Sequence, residues 1–155
     1  MFEELPDGVM PVMAEAQPGD IRASGGRISL VSVASAGEVL LEGSETSAEK
    51  LGNIEVSDKS VIDVSGNGSG NIIIRGGEFA LDKSRLLSDN LGNGEGGEIF
   101  IEAEDISIIN LAKIYSRTYG KGRGGDVTIR ASESFNLSGT DEGGRIIVSQ
   151  HREPQ

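Results

Sequence analysis

Two stretches of the chain, GNGEGGEIFI at residues 92–101 and GKGRGGDVTI at residues 120–129, follow one pattern. Both read Gly-x-Gly-x-Gly-Gly, then an acid, then a residue common in strands, then any residue and Ile. A ligand loop used twice would produce such a pair, and so would one structural unit stacked on its copy. The second explanation is favoured because the strand-like end of the pattern also recurs elsewhere in the chain.

The recurring opening is a glycine, a polar residue and then alternating apolar residues. It begins at Gly70, Gly97 and Gly125, with spacings of 27 and 28 residues, and Gly26 starts an earlier copy. Each opening is followed by a second apolar pair and then by a third apolar site. The second pairs are Ile54/Val56, Phe79/Leu81, Ile106/Ile108 and Phe135/Leu137, and the third sites are Val61, Leu86, Ile114 and Ile147.

These repeats predict an all-β fold. The apolar residues alternate with period 2 and show no sustained helical period. Self-similarity at 20–50 residues is typical of solenoids, whose units bury their apolar faces only by stacking. We therefore predict a right-handed parallel β-helix of about four coils, each of about 27 residues with three short strands, stacked at about 4.8 Å.

The first coil needs an insertion at about residues 35–52 to keep this register. A competing register opens a unit at Gly52, because residues 52–56 also fit the pattern. The first register is preferred, since it aligns the turn at residues 66–70 with that at 92–97. The predicted organisation is an N-terminal segment at 1–25, disordered or a partial cap, then the β-helix at 26–150 and a frayed tail at 151–155.

Eight glycines are predicted to form sharp corners between coils. Glycine adopts a positive φ without a steric penalty, and the lack of a side chain permits close stacking. The corner glycines are Gly92, Gly94, Gly96, Gly97, Gly120, Gly122, Gly124 and Gly125.

Alternation also predicts which side chains face outward. Arg75, Glu102 and Arg130 should form a ladder of alternating charge on one outer face. Ile73, Phe100 and Thr128 should point outward beside it. Such a row is either a contact surface for a partner or is covered by the neighbouring arginines.

Composition excludes several classes of partner. The net charge of −11 disfavours binding to nucleic acid or to anionic lipid. The chain has no cysteine, so disulfides and thiolate chemistry are excluded. No run approaches the roughly 18 apolar residues of a membrane span, and residues 1–25 lack the pattern of a signal peptide.

The residues that could form a catalytic or metal-binding site are also explained as ordinary surface residues. Carboxylates that could serve a polysaccharide lyase or hydrolase occur once per unit, without a tight cluster. Turns near Glu95, Glu98, Asp141 and Glu142 could bind calcium only incidentally, and Lys121 and Arg123 lie at a solvated corner. His151 is the one histidine and lies in the tail. We expect no catalytic, cofactor-binding or metal-binding residues; the carboxylates considered were Asp63, Asp82, Asp89 and Asp105.

Three phrases in sequence order resemble a known family. They are GGRISLVSVASAGEV (25–39), VIDVSGNGSGNIIIRG (61–76) and SRTYGKGRGGDVTIRASESFNLSG (116–139). They resemble cyanobacterial large exoproteins of the filamentous haemagglutinin-like group, which use two-partner secretion. The resemblance implies export through an outer-membrane pore partner, a right-handed β-helix, and a role as adhesin, toxin stalk or surface filament. The signal peptide and secretion domain of that group have no counterpart in this sequence, so we expect a fragment of a longer parent.

The functional hypothesis from the sequence is a non-catalytic structural and adhesive module, secreted or on the cell surface as part of its parent. Its ligand would be a host or cell-surface carbohydrate or protein, contacted through the insertion at 35–52 or the corner at 140–144. Two alternatives remain: a polysaccharide-degrading enzyme on the same fold, and a non-functional remnant of a larger gene.

Overall fold

A computed structural model describes residues 19–40, 45–138 and 145–150 of the chain. Every regular element in these ranges is a β-strand. The strands are β1 (Asp20–Arg22), β2 (Arg27–Val31), β3 (Val39–Leu40), β4 (Glu45–Thr46), β5 (Ile54–Val56), β6 (Val61–Asp63), β7 (Asn71–Arg75), β8 (Glu78–Asp82), β9 (Arg85–Leu87), β10 (Glu98–Ile109), β11 (Lys113–Thr118), β12 (Asp126–Ser138) and β13 (Arg145–Gln150).

The strands stack into three faces of a parallel β-solenoid, as the repeats predict. The first face contains β2, β7 and the N-terminal halves of β10 and β12, and the second contains β5, β8 and the C-terminal halves of β10 and β12. The third face is a five-stranded sheet in the order β1-β6-β9-β11-β13. All pairings between coils are parallel, so each coil lies about 4.8 Å from the next.

The preferred register is confirmed. Ile28 pairs with Ile72, which pairs with Ile99, so the glycine openings stack directly. The register that opens a unit at Gly52 is wrong, because Ile54 pairs with Phe79 on the second face. The longer spacing in the last coil also has a cause. A bulge between Ala103 and Asp105 of β10 accommodates one extra residue in β12.

Two predicted members of the third ladder are wrong by one residue: Val61 is one residue too early and Ile147 is one residue too late. Leu86 pairs with Ile62 and not with Val61, and Ile114 pairs with Ile146 and not with Ile147. The corner before β6 has two residues of positive φ, whereas the corner before β9 has one. The number of residues between the second and third faces therefore differs by one between these two coils. A shift of one residue turns inward-facing side chains outward, because side chains alternate along a strand.

The solenoid also includes residues that the sequence assigned elsewhere. β1 lies within the predicted N-terminal segment, yet it pairs in parallel with β6 on the third face. In the predicted insertion, β3 and β4 form an antiparallel hairpin, and Val33 bridges to Leu51 at its base. Residues 1–18, the corner at 140–144 and the tail at 151–155 lie outside the described residues.

The core is a set of stacked apolar ladders inside the coils. Burial of each such side chain contributes roughly 1.5–3 kcal/mol. In the last coil, Phe135 and Leu137 continue the second ladder but remain 47% and 44% exposed. The fully buried members are Ile72, Ile74, Phe79, Leu81, Leu86, Ile99, Ile101, Ile106, Ile108 and Ile114.

The corner glycines stack closely, but they do not adopt the predicted positive φ. Among the described glycines only Gly25 and Gly68 have positive φ, at 63° and 92°. A Cβ on Gly97 would overlap the carbonyl of Gly70, and one on Gly125 would overlap the carbonyl of Gly97. Glycine is therefore required at the openings because the backbone of the neighbouring coil occupies the space of a side chain.

Candidate functional site

The row predicted to be a contact surface lies outward on the first face and is partly covered. Ile73, Phe100 and Thr128 are register neighbours, and all three are half-buried. The guanidinium groups of Arg75 and Arg130 each lie 5.4 Å from the centre of the Phe100 ring. Arg75 and Arg130 thus pack against Phe100, the only aromatic ring of the row, and partly cover it.

The predicted charge ladder on this face is confirmed. The carboxylate of Glu102 forms ion pairs with Arg75 and Arg130, with nitrogen–oxygen distances of 3.6 and 3.8 Å. The Arg130 side chain is 68% exposed, and pairs of this kind contribute only about 0.2–1 kcal/mol. Arg75 and Arg130 are therefore both paired with Glu102 on the first face.

The third face carries a different arrangement, which we call the basic patch: Lys59, Lys83, Arg85 and Lys113. Arg85 and Lys113 are direct register partners on β9 and β11. Lys59 and Lys83 lie at the corners that lead into β6 and β9, one coil apart. The patch thus spans three successive coils, or about 10 Å along the solenoid axis.

The cations of the basic patch have no acidic partner within the described residues. No carboxylate in the ranges 19–40 and 45–138 lies within ion-pair distance of Lys59, Lys83, Arg85 or Lys113. The chain as a whole is strongly acidic, with a net charge of −11. A local concentration of unpaired positive charge on such a surface is a focus for an anionic ligand.

The patch surrounds a shallow cavity of about 280 Å³. Besides the four cations, the cavity is lined by Leu111 and Tyr115. Leu111 is 46% exposed, and Tyr115 is half-buried with its ring on the outer side of β11. The arrangement can therefore offer charge, an apolar contact and an aromatic ring to one ligand.

The corners that hold the two patch lysines have an unusual backbone. Asp58 and Lys59 have φ values of 58° and 64°, and Lys83 has a φ of 52°. The left-handed conformation costs a residue with a side chain roughly 1–2 kcal/mol. It persists here because the buried hydroxyl of Ser84 donates to the Asp82 carbonyl at 2.9 Å and accepts from the Ser60 N–H at 3.1 Å. The corner before β11 also has positive φ, at Asn110 and Leu111, so this conformation belongs to the repeat.

An ion pair between the buried Asp89 and the half-buried Arg117 lies next to the patch. Arg117 donates from Nε to both carboxylate oxygens of Asp89 at 3.1 Å, and its terminal nitrogen also contacts that carboxylate. Asp89 is 6% exposed. The hydrogen bond that Arg117 donates to Asp89 raises the pKa of Arg117, burial opposes this effect, and the negative charge of Asp89 adds to it.

Two aromatic rings hold the guanidinium of Arg117 in place. Its carbon lies 4.2 Å from the centre of the Tyr115 ring and 5.5 Å from that of Tyr119. Tyr115 therefore contacts Arg117 on one side and lines the patch cavity on the other. These are the only two tyrosines of the chain, and it has no tryptophan.

The carboxylates weighed as catalytic candidates each take part in a local hydrogen bond. Asp63 accepts from the Ser65 N–H at 2.9 Å, and Asp82 accepts from the Asn110 amide at 3.0 Å. Asp105 accepts from the Ser134 hydroxyl, and Asp89 holds Arg117. Among the described residues no group of three or more His, Cys, Asp or Glu is placed to hold a metal ion.

The other predicted positions are surface features where they are described. Glu95 and Glu98 are exposed, whereas Asp141, Glu142 and His151 lie outside the described residues. No helix in the described part of the chain is long and apolar enough to cross a membrane. Comparison of the chain with protein-family models, with curated proteins and with solved structures gives no match.

Sequence reasoning missed the basic patch, although a signal for it exists. Asp-Lys-Ser occurs at residues 58–60 and again at 82–84, and each copy lies just before a strand of the third face. The spacing is shorter than the 27 or 28 residues of the glycine openings, so it does not follow the main period of the repeat. Only the corner geometry brings the two lysines beside Arg85 and Lys113.

Proposed function

We propose that this chain is a non-catalytic structural and adhesive module, a rigid β-solenoid that binds a surface ligand through its third face. The observation that supports it most directly is the basic patch. Four cations without an acidic partner in the described ranges surround a cavity beside Tyr115 in an otherwise acidic molecule. Like charges grouped on one rigid surface create a local positive potential that attracts an anionic ligand.

The solenoid suits this role because the parallel ladders fix the patch. Adjacent coils are joined by continuous backbone hydrogen bonds, so side chains in one column keep a constant spacing. A ligand that contacts several coils finds the cations already ordered, which lowers the entropy lost on binding.

We place the module outside the cell, as part of a longer exoprotein that is exported with an outer-membrane pore partner. This part of the proposal rests on the resemblance of residues 25–39, 61–76 and 116–139 to two-partner exoproteins.

Adhesion is tested with beads coated with the chain and retained under flow on immobilised bacterial cells. The test variant is Arg85→Gln/Lys113→Gln, and the control is Lys50→Gln/Arg123→Gln, which removes the same charge from exposed positions elsewhere. We expect the test variant to lose most of its retention and the control to keep it. Wild-type retention no greater than that of albumin-coated beads would contradict adhesion. The release of new reducing ends from acidic polysaccharides would contradict the non-catalytic assignment.

A further inference from the structure

We infer that the basic patch binds an acidic polysaccharide whose chain runs along the solenoid axis, with its carboxylate or sulfate groups on successive coils. The inference deepens the proposed function, on which it rests, by naming the chemical class of the ligand. Ligands with carboxylate groups and ligands with sulfate groups share the required chemistry, which is a sugar polymer with regularly spaced anionic groups.

The direction of the bound chain follows from the positions of the cations. Lys59 belongs to one coil, Lys83 and Arg85 to the next, and Lys113 to the third. Arg85 and Lys113 share one column, and Lys59 and Lys83 lie two residues before that column, so a polymer running obliquely along the axis would meet a cation on each of three coils about 4.8 Å apart.

The groups that surround the cavity favour a sugar over a bare inorganic anion. Tyr115 presents an aromatic ring and Leu111 an apolar side chain beside the cations. Aromatic rings pack against the apolar side of flat ligands while the charged groups are paired nearby. The guanidinium of Arg85 adds a planar fork that matches a carboxylate or a sulfate.

Charge density argues against a nucleic acid on the same patch. Duplex DNA carries one negative charge for about every 1.7 Å of its axis and binds through many cations at once. Here a group of four cations is surrounded by a molecule of net charge −11, which repels a dense polyanion approaching over a wide area. An acidic polysaccharide carries fewer charges per unit length and contacts a narrower strip.

The chain offers a built-in optical probe of this site. Tyr115 lies on the third face, Tyr119 follows directly after β11, both contact Arg117, and there is no tryptophan to mask their emission. Titration with a polysaccharide should change the intrinsic tyrosine fluorescence, because Tyr115 lines the cavity. Polygalacturonate, dextran sulfate, neutral dextran and a short DNA duplex serve as probes.

We expect saturable binding of polygalacturonate or dextran sulfate, weakened by salt, and none of neutral dextran. Arg85→Gln/Lys113→Gln should raise Kd by about tenfold, as expected for the loss of two exposed charge contacts. Lys50→Gln/Arg123→Gln should change it by less than about twofold. All four positions lie on the surface, so we expect every variant to fold, and circular dichroism verifies this.

The two anionic probes separate the sources of charge. Binding of polygalacturonate alone identifies a carboxylate ligand, binding of dextran sulfate alone a sulfate ligand, and binding of both a patch that reads charge; each supports the inference. Binding of neither, equal weakening by both double variants, or tighter binding of the DNA duplex would overturn it. If coated beads still adhere to cells when no polysaccharide binds, the inference fails and the adhesive function stands. If polysaccharide binds and the beads do not adhere, the adhesive function fails.

Discussion

Replacement of Gly97 by alanine tests why the openings contain glycine. A methyl group there would overlap the Gly70 carbonyl and would lie 2.7 Å from the Asn71 amide oxygen. That oxygen accepts a hydrogen bond from the Glu98 N–H at 2.8 Å. Forcing the two coils apart costs about 2 kcal/mol, as for other overpacked sites, and the strained hydrogen bond adds about 1 kcal/mol. We expect Gly97→Ala to lower the free energy of unfolding by about 3 kcal/mol.

Gly26→Ala is the matched control for this change. Gly26 opens the first coil in the same motif position, but a Cβ there would meet only Ala23, at 3.2 Å. We expect a loss below about 1 kcal/mol, since a small local shift relieves that contact. Urea denaturation followed by far-ultraviolet circular dichroism should show a midpoint about 1.5 M lower for Gly97→Ala at an unchanged slope of about 2 kcal/mol/M. Equal midpoints for the two variants would refute the stacking explanation.

Three further substitutions test the corner and the third face. Asn90→Ala removes a buried amide that donates to two backbone carbonyls, at 2.6 and 3.0 Å, and accepts from two N–H groups, so we expect a loss of about 3 kcal/mol in urea denaturation. Arg117→Gln leaves Asp89 buried without its partner and should cost about 2 kcal/mol, against about 0.5 kcal/mol for Arg130→Gln. Because the pKa of Arg117 is raised, its contribution is present below that value and should be the same at pH 6 and pH 9; a change between these pH values would contradict the assignment. Lys83→Gly relieves a left-handed φ of 52° and should raise thermal stability by about 1 kcal/mol while weakening polysaccharide binding; a loss of stability would show that the corner is not strained.

The ladders of the solenoid could be predicted from sequence because they depend on two regular quantities. Alternation with period 2 fixes which residues face inward, and the spacing of the glycine openings fixes which coils are neighbours. Ile72 and Ile99 illustrate this, since period and alternation alone place them side by side. The first and second faces follow directly, including the ion pairs of Glu102.

The third face was harder to predict because its register depends on corner backbone. One left-handed residue at Lys83, against two at Asp58 and Lys59, shifts the following strand by one position. No periodicity encodes that difference, so Val61 was assigned in place of Ile62. The pair of Asp89 and Arg117 is 28 residues apart and matches the coil repeat, so register alone places them together.

The sequence predicts that the corner glycines are structurally required, but it does not show the reason. Their recurrence indicates a tight site, but tightness can come from a positive φ or from the approach of another backbone. The two causes leave the same residue in the sequence. Only the position of the neighbouring coil, as at Gly97 over Gly70, decides between them.

The most direct test of the central claim, that the third face is the binding surface, is to map amide chemical shifts by NMR as polygalacturonate or dextran sulfate is added. We expect the changes to cluster at the basic patch, from the corner at Lys59 through β9 and β11 to Tyr115. The Phe100 row on the first face and the hairpin of β3 and β4 should remain unchanged. Shifts that cluster on either of those surfaces, with the third face unaffected, would contradict it.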